Sequence, residues 1–266
     1  MKLTILGTGN AYALKCYNTC FVLSDGDRHF LVDAGGGNTV ISQLEKAGMS
    51  FLDIHDVFIT HKHIDHILGI VWVYRMISQA MRFGTYKGEC RFYTHAAVMP
   101  ILKRLIADLM QKKDADMVGD RIHLITVEDG EALDIIGHEV TFFDIHSTKA
   151  PQFGFRMENV SGGPLTCCGD EPYTDVEEAY ARGCKYLLHE AFCLYEEREI
   201  WTPYDFHHST SRDAGLAAEK LGAETLIMYH TMDDDLAHRK TRYSAEAREV
   251  FSGNVLVPDD LEVIEL

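Results

Sequence analysis

The stretch His61-Lys62-His63-Ile64-Asp65-His66 places four metal-capable side chains within six positions. It directly follows the apolar run 54–60, which is typical of a buried strand, and directly precedes a helical pattern at about 69–81. Such an arrangement arises by chance in roughly one chain in a few hundred of this length. The stretch therefore predicts a metal-ligand loop between a strand and a helix. The alternative is a polar loop whose imidazoles are satisfied by hydrogen bonds.

The spacing within this loop favours two metal ions over one. Alternation along an extended segment places His61 and His63 on one side, whereas Asp65 and His66 turn with the start of the helix toward another side. Further ligands are expected at strand ends, where loops collect over a rigid sheet. Three residues follow apolar runs in this way: His146, Asp170 and His230. Each alone could be a polar residue leaving a strand, but three at one end of one sheet favour a shared site.

The composition excludes several classes of protein. With 46% apolar and 25% charged residues in 266, the chain is neither disordered, fibrous nor membrane-spanning. A net charge of −16 disfavours a general nucleic-acid coat. The first twelve residues hold no signal peptide, and the seven cysteines contain no C-x-x-C pair. We therefore expect a cytoplasmic protein with reduced thiols and no membrane partner.

The order of predicted elements indicates one α/β domain over residues 1–266. Three strands open the chain as a meander, at 3–6, 19–23 and 29–32. Helical patterns follow at 38–46, 69–81 and 97–110, and the middle third returns to strands. The last third alternates helix and strand. No repeat, linker or low-complexity tract interrupts this order.

Together with the ligand loop, the motifs Leu6-Gly7-Thr8-Gly9, Asp33-Ala34-Gly35 and Gly169-Asp170 resemble those of the metallo-β-lactamase superfamily along essentially the whole chain. This resemblance implies a four-layer αββα sandwich with a dinuclear centre, usually of zinc, with manganese or iron as alternatives. By motif, the first metal is assigned His61, His63 and His146, the second Asp65, His66 and His230, and the bridging ligand is Asp170.

Two further motifs resemble the ribonuclease Z-like branch of that superfamily: His189-Glu190-Ala191 and His208-Ser209-Thr210. The resemblance implies that Glu190 and His208 form a hydrogen-bonded pair that helps to protonate the leaving group. A simpler interpretation is that the hydroxyl residues at 209–211 cap the helix that follows and that His208 is a bystander.

The charges of the predicted metal site indicate which class of bond is hydrolysed. Two nearby cations would lower the pKa of a water bound between them toward neutrality, and Asp65 and Asp170 could orient the resulting hydroxide. A protonated imidazole at His208 favours a phosphodiester, because its departing alkoxide needs a proton. Lys149 could contact the phosphate, although an ordinary surface lysine is the simpler interpretation. Rings that could stack on a base, but more simply pack in the core, are Tyr74, Phe83, Tyr86 and Phe153.

The expected substrate is a small phosphodiester or a short oligonucleotide. Only 24 positions separate His146 from Asp170, which suits two strands and a turn and leaves no room for the long RNA-gripping arm of many transfer-RNA-processing relatives. The acidic charge further disfavours long RNA. Two alternatives stay open, a tRNA 3′-end endonuclease and a thioester or lactone hydrolase, and so does a homodimer.

Overall fold

Two seven-stranded sheets organise the chain in a computed structural model that describes residues 1–266, and each sheet lies within its own compact unit. The first unit comprises Met1–Gly7, Tyr17–Glu128 and Asp260–Leu266. The second comprises Thr8–Cys16 and Asp129–Asp259. Both units mix helices and strands, as the sequence predicts. The assignment of residues 1–266 to one domain stays a prediction.

The secondary structure follows the chain in this order. The strands are β1 Lys2–Gly7, β2 Cys20–Asp25, β3 Arg28–Val32, β4 Ile54–Phe58, β5 Cys90–His95, β6 Ile122–Val127, β7 Ala132–Ile135, β8 His138–Asp144, β9 Phe153–Val160, β10 Gly163–Cys167, β11 Tyr186–Glu190, β12 Thr225–Tyr229, β13 Asn254–Leu256 and β14 Val263–Glu265. The α-helices are α1 Thr39–Lys46, α2 Ile64–Arg82, α3 Met99–Leu109, α4 Lys112–Ala115, α5 Glu178–Ala181, α6 Arg198–Trp201, α7 Ser211–Leu221 and α8 Leu236–Arg248. Short 3-10 helices span Phe51–Asp53, Asp175–Glu177, Tyr195–Glu197 and Pro203–Phe206.

The sheet of the first unit has the order β14-β1-β2-β3-β4-β5-β6. The predicted meander β1-β2-β3 is antiparallel, whereas β3 to β6 pair in parallel. Because parallel strands end at the same edge of a sheet, the residues that follow β3 and β4 emerge side by side. Asp33 follows β3, and the ligand loop 61–66 follows β4 by two residues.

The sheet of the second unit has the order β13-β12-β11-β10-β9-β8-β7. Strands β7 to β10 form antiparallel pairs, and β10 to β13 pair in parallel. The ends of β10, β11 and β12 therefore share one edge, which brings together Asp170, Glu190 and His230. The interval from His146 to Asp170 holds only β9, a turn and β10, as predicted.

Helix α2 packs its apolar side into the core of the first unit, with Ile70, Val73 and Ile77 fully buried. Its contact with the loop after β3 requires glycine, since a Cβ on Gly69 would lie 1.7 Å from the carbonyl oxygen of Ala34. The helix begins at Ile64, five residues before the predicted start, because its first turn carries Asp65 and His66 in place of apolar residues. No helix is long and apolar enough to cross a bilayer.

The aromatic residues singled out from the sequence divide between core and surface. Tyr74, Tyr86 and Phe153 are buried, as the simpler interpretation predicts, whereas Phe83 is exposed at the end of α2.

Helix α8 is absent from the prediction. Only Arg239, Tyr243 and Ala247 are buried in it, so it lacks a continuous apolar stripe.

Candidate metal centre

The ligand loop is anchored by Asp33, a residue in the left-handed region with φ of 54°. Its carboxylate accepts two hydrogen bonds from Thr60, from the backbone N–H at 2.9 Å and from the hydroxyl at 2.7 Å. The same carboxylate lies 2.8 Å from Nδ1 of His66. Asp33 therefore joins both ends of the loop and directs Nε2 of His66 away from itself.

The structure brings the four metal-capable residues of the loop together. Nε2 of His61 lies 2.9 Å from Nδ1 of His63, and the rings of His61 and His66 are 4.2 Å apart. Nε2 of His66 lies 3.4 Å from a carboxylate oxygen of Asp65. All but His63 are buried. Closely packed imidazole nitrogens and a carboxylate are the donor set that zinc, manganese and iron accept, so these residues fit a divalent ion.

The charges around the ligand loop also favour a bound cation. Burial lowers the pKa of His66, but the carboxylates of Asp65 and Asp33 outweigh it and hold that pKa well above its ordinary value. Two buried negative charges thus favour a positive charge between them. A divalent ion would satisfy the same requirement.

In the second unit, Glu190 lies fully buried at the end of β11 between two imidazoles. Its Oε2 is 2.7 Å from Nδ1 of His208 and 3.5 Å from Nδ1 of His230. Its Oε1 accepts the backbone N–H of Ser209 at 2.6 Å. Nε2 of His230 in turn lies 3.6 Å from a carboxylate oxygen of Asp170. The predicted pair of Glu190 and His208 is present and is continuous with two predicted ligands.

The pair of Glu190 and His208 holds a transferable proton. Burial raises the pKa of Glu190 to about 8 and lowers the pKa of His208 to about 4. Burial thus disfavours the charged form of each group. A proton shared between the two groups has only the 2.7 Å bond to cross. The ring of Phe192 stacks on His208 at 4.7 Å and fixes the plane of the imidazole.

Lys149 is not the ordinary surface residue that the sequence favours. Its side chain is 16% exposed, and Nζ lies 3.3 Å from Nε2 of His208 and 3.4 Å from the backbone carbonyl of Asp170.

The helix-cap interpretation of the H-S-T motif also holds, because Thr210 and Asp213 form a capping box at the start of α7. Capping by Thr210 and pairing by His208 are therefore compatible.

The structure does not bring His146 into this group. Its side chain is exposed, and its backbone N–H donates to Asp144 at 2.8 Å. His207, the neighbour of His208, is also exposed and contacts Thr148. Sequence reasoning missed the contact between Asp33 and His66, although the position of Asp33 directly after β3 could have indicated it.

Residues 1–206 match the family model described as anti-Pycsar protein Apyc1. The chain is 27% identical to a ribonuclease Z of Halorubrum lacusprofundi, covering 100% of this chain and 97% of that protein. Among solved structures it resembles the metallo-β-lactamase fold protein YhfI from Bacillus subtilis, with a TM-score of 0.80 and 20% identity over 100% of this chain and 99% of that chain. It also resembles human tRNase Z, short form, with a TM-score of 0.75 and 21% identity over 99% and 98% of the two chains. The expected α/β fold of the metallo-β-lactamase type is confirmed.

Proposed function

The chain belongs to the family described as anti-Pycsar protein Apyc1, and we propose that it hydrolyses a phosphodiester bond in a small or short nucleotide-type substrate. The expected membership of the metallo-β-lactamase superfamily, in its ribonuclease Z-like branch, is confirmed. The protein is accordingly a metal-dependent phosphodiester hydrolase. The size of the substrate and the roles of individual residues are the proposal.

We assign two divalent ions to the imidazole and carboxylate donors that the sequence motifs indicate. The assigned ligands are those implied by the family resemblance: His61, His63, Asp65, His66, His146, Asp170 and His230. Zinc suits this mixture of nitrogen and oxygen donors, as do manganese and iron. When bound, such ions supply an activated water and neutralise charge on the phosphate. The exposed His146 would have to turn inward to take part.

The observation that carries the proposal is the hydrogen-bonded pair of the buried Glu190 and the half-buried His208. In the proposed reaction His208 donates a proton to the departing oxygen, and Glu190 holds the ring through Nδ1 while providing the shared proton. Phe192 restricts the ring to one plane, so the proton at Nε2 has a fixed direction. A phosphodiester needs this assistance more than a thioester, because its alkoxide leaving group is a stronger base than a thiolate.

Lys149 supports a phosphorylated substrate. Its ammonium group is largely removed from solvent and lies beside Nε2 of His208, where the leaving oxygen would depart. A cation at this point would bind a phosphate oxygen and favour transfer of the proton away from the imidazole. The position therefore fits the proposed chemistry better than a solvent-facing lysine would.

Two observations favour a small substrate. The segment between His146 and Asp170 forms only a strand pair, and the chain carries a net charge of −16. Affinity for a long RNA backbone comes mainly from basic contacts, which such a charge opposes. A tRNA 3′-end endonuclease is the second candidate, because the relative named ribonuclease Z aligns with essentially the full length of this chain.

A substrate panel on metal-loaded protein tests the proposal. We expect turnover of an aryl phosphodiester, a cyclic mononucleotide or a dinucleoside monophosphate, and slower turnover of precursor tRNA and of thioesters. His208→Ala should remove most activity on the nucleotides, whereas the matched variant His207→Ala should leave it unchanged. Cleavage of precursor tRNA in preference to every small diester would favour the second candidate. Metal analysis should find two ions per chain, and one ion at full occupancy would contradict the dinuclear site.

A further inference from the structure

A cavity of about 390 Å³ opens on the first unit beside helix α2. Its lining is mainly apolar, with one basic side chain, and includes Gly36, Leu68, Trp72, Arg75, Leu109 and Met110. The volume lies within the range of small-molecule sites, which are typically lined by apolar and aromatic groups with a few polar ones. None of these residues belongs to the assigned metal ligands.

The cavity adjoins the ligand loop directly. A Cβ added to Gly36 would lie 3.8 Å from the Cα of Asp65, so the cavity wall touches the backbone of an assigned ligand. Leu68 stands one helical turn beyond Asp65, and Trp72 one turn further. At a rise of about 1.5 Å per residue, Trp72 lies roughly 10 Å along the helix from Asp65. A group joined to a phosphate through one sugar would reach this wall.

The side chains of the cavity suit a flat aromatic ring. Trp72 is 38% exposed, and Ile64 and Leu68 continue the same face of α2 at intervals of four residues. The guanidinium of Arg75 lies 5.8 Å from the centre of the Trp72 ring. Aromatic side chains and arginine planes are the surfaces on which nucleobases stack.

We propose that this cavity is a base-binding subsite, in which the nucleobase of the substrate stacks on Trp72 beside Arg75. The subsite rests on the proposed function, since it takes the substrate to be a nucleotide-type phosphodiester. It extends that function by placing substrate selection on helix α2, the helix whose first turn carries Asp65 and His66. The shared helix would hold the base and two assigned ligands in a fixed relation.

Tryptophan fluorescence tests the binding step without turnover. The chain has two tryptophans, so Trp201→Phe leaves Trp72 as the single emitter. With the metal-loaded variant, a nucleoside 5′-monophosphate should change the emission in a saturable way, and ribose 5-phosphate should not. The converse variant, Trp72→Phe, should show no such change. Equal responses to the nucleotide and to the base-free phosphate would overturn the subsite.

Kinetics on a dinucleoside monophosphate provide the second test. Trp72→Ala should raise KM by roughly 5- to 150-fold, which is the loss of one stacked base. Phe83→Ala is the matched control, since Phe83 is an exposed ring at the end of the same helix and does not line the cavity. An unchanged KM together with a change in sedimentation mass for Trp72→Ala would overturn the subsite and assign this face to a second copy of the chain. An intact nucleotide signal without turnover of any phosphodiester would support the subsite and refute the proposed function.

Discussion

Replacing Glu190 by glutamine tests how the imidazole of His208 is supplied with its proton. The substitution preserves size, and the backbone N–H of Ser209 holds the amide oxygen at the position of Oε1. The amide NH2 must then face Nδ1 of His208, where the carboxyl group now lies at 2.7 Å. An amide donor opposite Nδ1 requires a lone pair there, so the only ring proton is the one on Nε2, and the amide cannot replace that proton once it is given up. The variant pair thus holds one proton fewer to pass on.

The size of the effect depends on the leaving group. General acid catalysis contributes about 10²- to 10⁴-fold, or about 2.7–5.5 kcal/mol of transition-state stabilisation. We expect Glu190→Gln to reduce kcat by this factor for a dinucleoside monophosphate, whose leaving alkoxide must be protonated. For an activated aryl diester, whose phenolate leaves without a proton, the reduction should stay below about fivefold.

The assay compares the two diesters at pH 7 with metal content measured on each sample. Metal analysis is needed because Glu190 also lies 3.5 Å from Nδ1 of His230, an assigned ligand. His207→Ala serves as the control for a general disturbance of the loop. Equal losses on both diesters at full metal occupancy would refute the proton-supply role and leave Glu190 a purely structural residue.

Three further predictions concern metal affinity and stability. Asp33→Asn removes the charged acceptor of His66 Nδ1 and should weaken metal binding by about 10- to 100-fold in a chelator competition, and an unchanged affinity would contradict its supporting role. Burial raises the pKa of Glu177 well above 4.5, so the folded state keeps a proton that the unfolded state releases, and the free energy of unfolding should fall as pH rises above 4.5. When the free energy of unfolding is measured by denaturation at pH 5 and pH 8, Glu177→Gln should abolish this part of the decline. An equal decline in the wild type and the variant would count against it. Gly69→Ala should lower the free energy of unfolding, measured in urea, by about 1–3 kcal/mol or more, because the new methyl group meets the carbonyl of Ala34. A smaller loss would show that the loop can move aside.

Most of the ligand loop was predictable from sequence because its residues are contiguous. His61, His63, Asp65 and His66 lie on one strand-to-helix loop, so local spacing alone brings them together. Residues at strand ends were predictable for a related reason. Asp170 follows an apolar run that can be read as a strand, and parallel strands end at a common edge.

Other features depend on tertiary packing and leave no local pattern. Helix α8 buries only three side chains, so its sequence shows no apolar period. From the sequence, Lys149 resembles a surface residue, because its contact with His208 forms only when the loop after β8 folds against that residue. Trp72 was missed because it lies on a helix that is apolar on most sides, where an exposed ring resembles a buried one. The ligand role of His146 was inferred from motif alone and stays a prediction, since its side chain is exposed.

The backbone explains why these residue types stand at these positions. Asp33, His146 and His230 adopt left-handed conformations with φ of 54–57°, which cost of order 1–3 kcal/mol each for residues other than glycine. Glycine would remove that cost, and the chain does use glycine in this conformation at Gly35 and Gly169. Folding alone therefore favours glycine at all three positions. At Asp33 the side chain accounts for the choice, because its carboxylate binds Thr60 and Nδ1 of His66. At His230 the imidazole lies between the carboxylates of Glu190 and Asp170.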